Sequence, residues 1–81
     1  MAVEERYNFS KEVIHLIKLI EVITLAIEAE RASKEQYHQY AGEATDPEVR
    51  LMFEQLARDE ERHEKQLLEK LRALKLLYLE D

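Results

Sequence analysis

Apolar residues recur along most of this chain at helical spacing. Counting by sevens from Phe9 passes through Leu16, Ile23, Glu30 and Tyr37. Counting by sevens from Phe53 passes through Glu60, Leu67 and Leu74, with Leu56, His63 and Leu71 alongside. Recurrence at three, four and seven residues marks one face of an α-helix. Between the two stripes, the stretch AGEATDPEV (Ala41–Val49) holds the chain's only Gly and only Pro. Gly42 suits the left-handed residue that ends a helix. For the next helix, Thr45 with Glu48 reads as a capping box, while Asp46 is an alternative cap that puts Pro47 at the first helical position. Asn8 or Ser10 caps the first helix. The pattern predicts one all-α domain over residues 1–81. Its two long helices, about residues 9–41 and 47–79, are joined by a turn at about 42–46 as an antiparallel hairpin.

One hairpin cannot hide all of this apolar surface. In Val13–Ile27, 11 of 15 residues are apolar, and Lys11, His15, Lys18, Glu21 and Glu28 form only a narrow polar stripe. Each helix covers one side of the other and leaves a second apolar side wet. A fold of 81 residues buries only about 60% of its chain surface. Self-association is the natural remedy, and a twofold homodimer gives an antiparallel four-helix bundle; a higher homo-oligomer built from it is equally compatible.

Composition narrows the partners. Cysteine is absent, which excludes a disulfide framework, a thiolate metal site and a rubredoxin-type module, and fits a reducing compartment. A net charge of −6 argues against nucleic acid, whose phosphates it would repel. His15, Lys18 and Glu21 interrupt the longest apolar run, so it falls short of a membrane span. Glu4, Glu5 and Arg6 occupy the place where a secretory leader would turn apolar. The expectation is a cytoplasmic protein with no nucleic-acid or membrane partner.

Both stripes carry polar residues at their middle. With the turn near residue 45, Glu30 lies 15 residues before it and Glu60 lies 15 after. At the helical rise, each sits about 22 Å from the turn, so the two face each other. His63 follows Glu60 by three residues and shares its face. An ionised Glu in an apolar stripe is costly unless it is paired or coordinated. Three potential metal ligands converge at one level, and a dimer doubles them, giving enough carboxylate charge to balance two divalent ions. Oxygen with imidazole suits Fe, Mn or Zn, whereas Mg and Ca do not use His. Elsewhere, the run ARDEERHEK reads as a solvated face in which Glu61, Arg62 and Glu64 need no function. His15 and His38 lie off the ligand face, and Met52 and Phe53 are expected as core fillers.

Glu30-x6-Tyr37 and Glu60-x-x-His63 resemble the ferritin-like superfamily. They sit within AIEAERASKEQYHQYAGEATDPEVRLMFEQLARDEERHEKQL, and the nearest likeness is to the rubrerythrin-type branch and the half-size encapsulated ferritins. The likeness spans about residues 20–70 and implies helix hairpins that dimerise around a di-iron site. It implies Glu30 as a terminal or bridging ligand, Glu60 as the bridge between two ions and His63 as the nitrogen ligand. Tyr37 would donate a hydrogen bond to a ligand carboxylate and complete the catalytic set, and Asp59 is placed to orient the His63 ring through its other nitrogen. The implied cofactor is iron, two ions per dimer site, with Mn or Zn as substitutes. The implied activity is ferroxidase-type oxidation of Fe(II) by O2 or peroxide, for iron handling or detoxification. Alternatives are a peroxide reductase fed by an external electron donor, and a non-catalytic assembly module held together by metal. Three departures limit the likeness. There is no Cys-x-x-Cys relay, and Ala29 and Ala32 stand where some encapsulated ferritins carry acids. No extended peptide follows Asp81, so docking inside a protein shell is not expected.

Overall fold

Ser10 begins the described part of the chain, residues 10–78 of a computed structural model, and it does so as a helix cap. Its extended backbone (φ −62°, ψ 157°) lets Oγ accept a hydrogen bond from the Val13 N–H at 3.1 Å. That satisfies one donor which the helical ladder leaves free. Glu12 adds a carboxylate to the first turn, where the helix dipole favours negative charge. The first helix, α1, runs Lys11–Glu43, and the second, α2, runs Pro47–Tyr78. Asn8, Phe9 and the expected helix end at residue 79 lie outside the described residues.

The reversal of the chain is made differently from the expected one. Gly42 does not take a left-handed φ, and α1 continues through it to Glu43. The helix ends instead at Ala44 (φ −71°, ψ 128°), whose N–H still reaches the Tyr40 carbonyl at 2.9 Å. Asp46 then caps α2, its Oδ2 accepting from the Val49 N–H at 3.2 Å, with Pro47 as the first helical residue. Of the two caps open to the sequence, Asp46 is the one used. Proline has no N–H to leave unsatisfied at that position, and its fixed φ is already helical. The Arg50 guanidinium donates to the Ala44 carbonyl at 2.9 Å, and the Arg50 N–H donates to the Asp46 carbonyl at 3.0 Å. Arg50 thereby satisfies a carbonyl of the reversal itself. The turn needs no special residue.

Next to the turn the helices are held by aromatic packing. The Phe53 ring lies 6.2 Å from that of Tyr37 and 5.4 Å from that of Tyr40, centroid to centroid. Further along, Leu16, Ile20 and Ile23 of α1 are partly covered, as are Leu56, Leu67, Leu71 and Leu74 of α2. Among the described residues the fully buried apolar side chains are Ile27, Ala41 and Ala57. Two of the three are alanines, so the helices approach closely while hiding little apolar area. Met52, expected inside, is 46% exposed. Neighbours on a helix point about 100° apart, and with Phe53 turned toward α1, Met52 faces out.

Helix α1 keeps the apolar surface that one partner helix cannot cover. Val13, Ile14, Ile17, Leu19, Val22 and Leu25 are all exposed, Val22 and Leu25 by 60% and 63%. His15 and His38 are exposed too, consistent with their polar positions. No helix among the described residues is long and apolar enough to cross a membrane.

Helical Gly42 yields a test opposite in sign to that of a left-handed cap. A Cβ built there meets nothing within 4 Å. Gly42→Ala should therefore stabilise the fold by up to about 1 kcal/mol, through helix propensity and a less flexible unfolded chain. Chemical denaturation at matched protein concentration checks this, and a loss of stability would contradict the helical geometry.

Candidate metal centre

Halfway along the hairpin, α1 presents Glu30 and α2 presents Glu60 and His63. One ligand atom from each lies within 4.8 Å of the other two. The His63 Nδ1 is 3.5 Å from Glu30 Oε2 and 3.7 Å from Glu60 Oε1. The antiparallel packing makes positions equidistant from the turn meet, and the three-residue spacing keeps His63 on the face of Glu60. Buried Ile27 and Ala57 lie one turn before Glu30 and Glu60 on their respective helices. The side chains of Glu30 and Glu60 are 24% and 18% exposed, that of His63 46%. The carboxylates are sheltered and the imidazole stands at the mouth.

Two features of this cluster call for a cation. Glu30 Oε2, the oxygen nearest the His63 ring, is buried without a hydrogen-bond partner. A buried carboxylate oxygen in that condition is costly. Glu60 is pushed above the ordinary carboxylate range, first by a hydrogen bond with Glu30, then by burial and by the Glu30 charge, against the opposing effect of His63. Glu60 therefore keeps its proton to higher pH than an ordinary carboxyl. A divalent ion would replace that proton and also satisfy the orphaned oxygen. The donor set, two carboxylates and one imidazole, fits iron, manganese or zinc.

The other expected residues stand further from this chemistry. Tyr37 stacks on Phe53, and among the described residues no side-chain hydrogen bond joins it to Glu30 or Glu60. The Asp59 carboxylate accepts from the Arg62 guanidinium at 2.8 Å, one turn along its own helix, rather than from His63. Its charge still adds to the upward push on Glu60.

Glu64 is the residue that the sequence reading passed over. It is not part of a solvated face: its side chain is 13% exposed, and it takes ion pairs from Arg31 and, at 2.9 Å, from Lys34. Hydrogen bonds from Arg31 first, and then Lys34, hold its carboxyl below the usual range. Its position was legible in principle. Glu64 follows Glu60 by four residues, which puts it on the same face, and Arg31 and Lys34 lie within about one turn of Glu30 on α1, from where their long side chains reach it.

The sequence model of the Rubrerythrin family matches residues 2–77. No curated protein and no solved structure matches the chain.

The raised Glu60 has a stability consequence for the metal-free chain. Unfolded, Glu60 titrates in the ordinary carboxylate range; folded, it keeps its proton to higher pH. Between those two values the folded state binds more protons than the unfolded state, so stability falls as pH rises through that window. Glu60→Gln mimics the protonated form. It should be more stable than wild type above the window, and the advantage should vanish as pH drops below the unfolded value. Denaturation midpoints from acidic to neutral pH in the presence of a chelator measure this. A Gln variant less stable than wild type at neutral pH would refute the buried-pair reading.

Proposed function

The chain belongs to the rubrerythrin family and folds as a helical hairpin, and on that footing we propose that Glu30, Glu60 and His63 hold iron as half of a di-iron carboxylate centre. The observation that carries this reading is the convergence of the three side chains around a buried oxygen of Glu30 that lacks a partner. A second copy of the chain supplies the other half. Two carboxylates and one imidazole cannot balance two divalent ions, whereas two copies can. The exposed apolar row Val13, Ile17 and Leu25 on α1 supports the same pairing, which gives a four-helix bundle.

Fe(II) is the substrate of the proposed oxidation, with O2 or peroxide as the oxidant. When bound, iron supplies one-electron chemistry: two Fe(II) give up two electrons, which O2 takes with two protons to form hydrogen peroxide, or hydrogen peroxide takes with two protons to form two waters. The chain's own groups prepare that exchange. Glu60, which keeps its proton to higher pH than an ordinary carboxyl, would give it up on coordinating a cation, so loading with metal would release protons to solvent. The two carboxylates then present negative charge in a sheltered space, which favours the more highly charged oxidised ion. His63 binds in its neutral form through a ring nitrogen, and its open side gives the oxidant access.

Anaerobic loading with Fe(II), followed by addition of O2 or peroxide, tests the reading. Wild-type protein should oxidise Fe(II) well above the rate in buffer. Changes to groups that merely support a ligand cost about 10–100-fold, so Glu60→Ala and His63→Ala should cost at least as much. Glu61→Ala, pointing about 100° away, should behave as wild type. If Glu60→Ala and Glu61→Ala oxidised iron equally, the face assignment and the iron reading would fall together. Consumption of many irons per dimer marks iron handling, whereas recycling of two with an added electron donor marks peroxide reduction. Sedimentation should find a dimer or larger assembly at micromolar concentration, and a stable monomer would remove the second half of the site.

A further inference from the structure

The ligands Glu30 and His63 each have, as their next residue in the chain, one member of an ion pair that crosses between the helices. Arg31 follows Glu30, and Glu64 follows His63. Lys34, one turn beyond Glu30, closes on the same Glu64 at 2.9 Å. Apart from the contact between the Glu30 and Glu60 carboxyl groups, these are the side-chain hydrogen bonds that run from α1 to α2 among the described residues. The other pair between opposite charges, Arg62 with Asp59, stays within α2.

Little else holds the helices in one setting at this level. The turn and the Tyr37, Tyr40 and Phe53 rings fix their end of the hairpin, but Glu30 and Glu60 lie about 22 Å from the turn and two helical turns, about 10 Å, beyond Tyr37 and Phe53. Buried Ile27 and Ala57 supply the apolar contact at this level, a single isoleucine against a small alanine that resists sliding weakly, and Glu30 and Glu60 themselves repel when ionised. A metal site, in contrast, needs its ligands held within about 0.5 Å of their working positions. Polar contacts can supply such discrimination where apolar packing is permissive, as a buried polar residue does for coiled-coil register.

We propose that Glu64, through Arg31 and Lys34, is a positioning residue that sets α1 against α2 so that Glu30 meets Glu60 and His63. Exposure supports the division of labour. Arg31 is 54% exposed and Glu64 13%, so the clamp reaches in from the flank and leaves the carboxylate pair free for a ligand. This inference rests on the metal reading above for its consequence, though not for its geometry.

Cobalt(II) is a suitable probe, since its visible spectrum reports ligand number and its affinity can be titrated. Glu64→Gln should weaken cobalt binding by about tenfold or more, the range seen when a ligand's supporting contact is lost, and should change the band shape. Glu61→Gln removes the same charge nearly one turn earlier on α2, from an exposed side chain with no ion pair among the described residues, and so controls for simple electrostatics. It should bind as wild type. Arg31→Lys should retain more affinity than Arg31→Leu. In metal-free protein, amide hydrogen exchange across residues 27–34 and 57–64 should quicken in Glu64→Gln and not in Glu61→Gln, while residues 41–50 stay unchanged. Cobalt affinity or exchange in Glu64→Gln equal to that in Glu61→Gln overturns the proposal. If wild-type protein binds no cobalt, the iron reading falls, and the exchange comparison alone decides whether Glu64 sets the helices.

Discussion

Two carboxyl groups on different helices meet in the middle of this hairpin, and most of what distinguishes the chain follows from that encounter. Glu30 and Glu60 are sheltered enough for repulsion to matter and are not relieved by hydrogen bonds from the backbone, whose groups are spent within the helices. Protonation is one relief, visible in the upward displacement of Glu60. A cation is the other, and His63 stands beside it as a third donor. A carboxylate pair of this kind is a poor way to stabilise a fold. Its presence makes sense where the pair has chemistry to perform.

The surrounding architecture accommodates the strain by keeping it local. The aromatic packing of Tyr37, Tyr40 and Phe53 lies on one side of the carboxylates, toward the turn. Leu67, Leu71 and Leu74 of α2 and Leu16, Ile20 and Ile23 of α1 lie on the other. Between them the core thins to alanine and one isoleucine, Ile27. The outer surface of α1 remains apolar, so the fold as described holds unsatisfied surface in reserve alongside unsatisfied ligand capacity. The second copy proposed above would meet both deficits at once.

Much of this was legible before any coordinates. Equal distance from the turn placed Glu30 opposite Glu60, and the three-residue spacing on α2 brought His63 with them, because helix rise and periodicity are insensitive to detail. The turn was less legible. Gly42 looked like a left-handed stop, yet Arg50 and Asp46 satisfy the local backbone groups without one, and that compensation depends on the path of the chain. Met52 and Phe53 could not both face inward, and only the actual rotation of α2 decides between neighbours. Tyr37 and Asp59 show the limit of transferring roles by likeness: their positions hold, but their side chains are engaged by Phe53 and Arg62. Glu64 was hidden by its company. A charged run averages to a solvated surface unless each member is tested for its own face.

The three-residue reversal at Ala44–Asp46 also orders events in time. Loop-closure entropy rises with the logarithm of loop length, so contacts nearest the turn are the cheapest to form. Tyr37 and Phe53 close a loop about half as long as the one between Glu30 and Glu60. A chain that zips outward from its reversal thus secures its aromatic anchor before the like charges are asked to meet. By then the repulsion acts between tethered partners and opposes only the last increments of closure. An otherwise awkward pair is compatible with rapid folding because most contacts are local within each helix, a topology of low contact order.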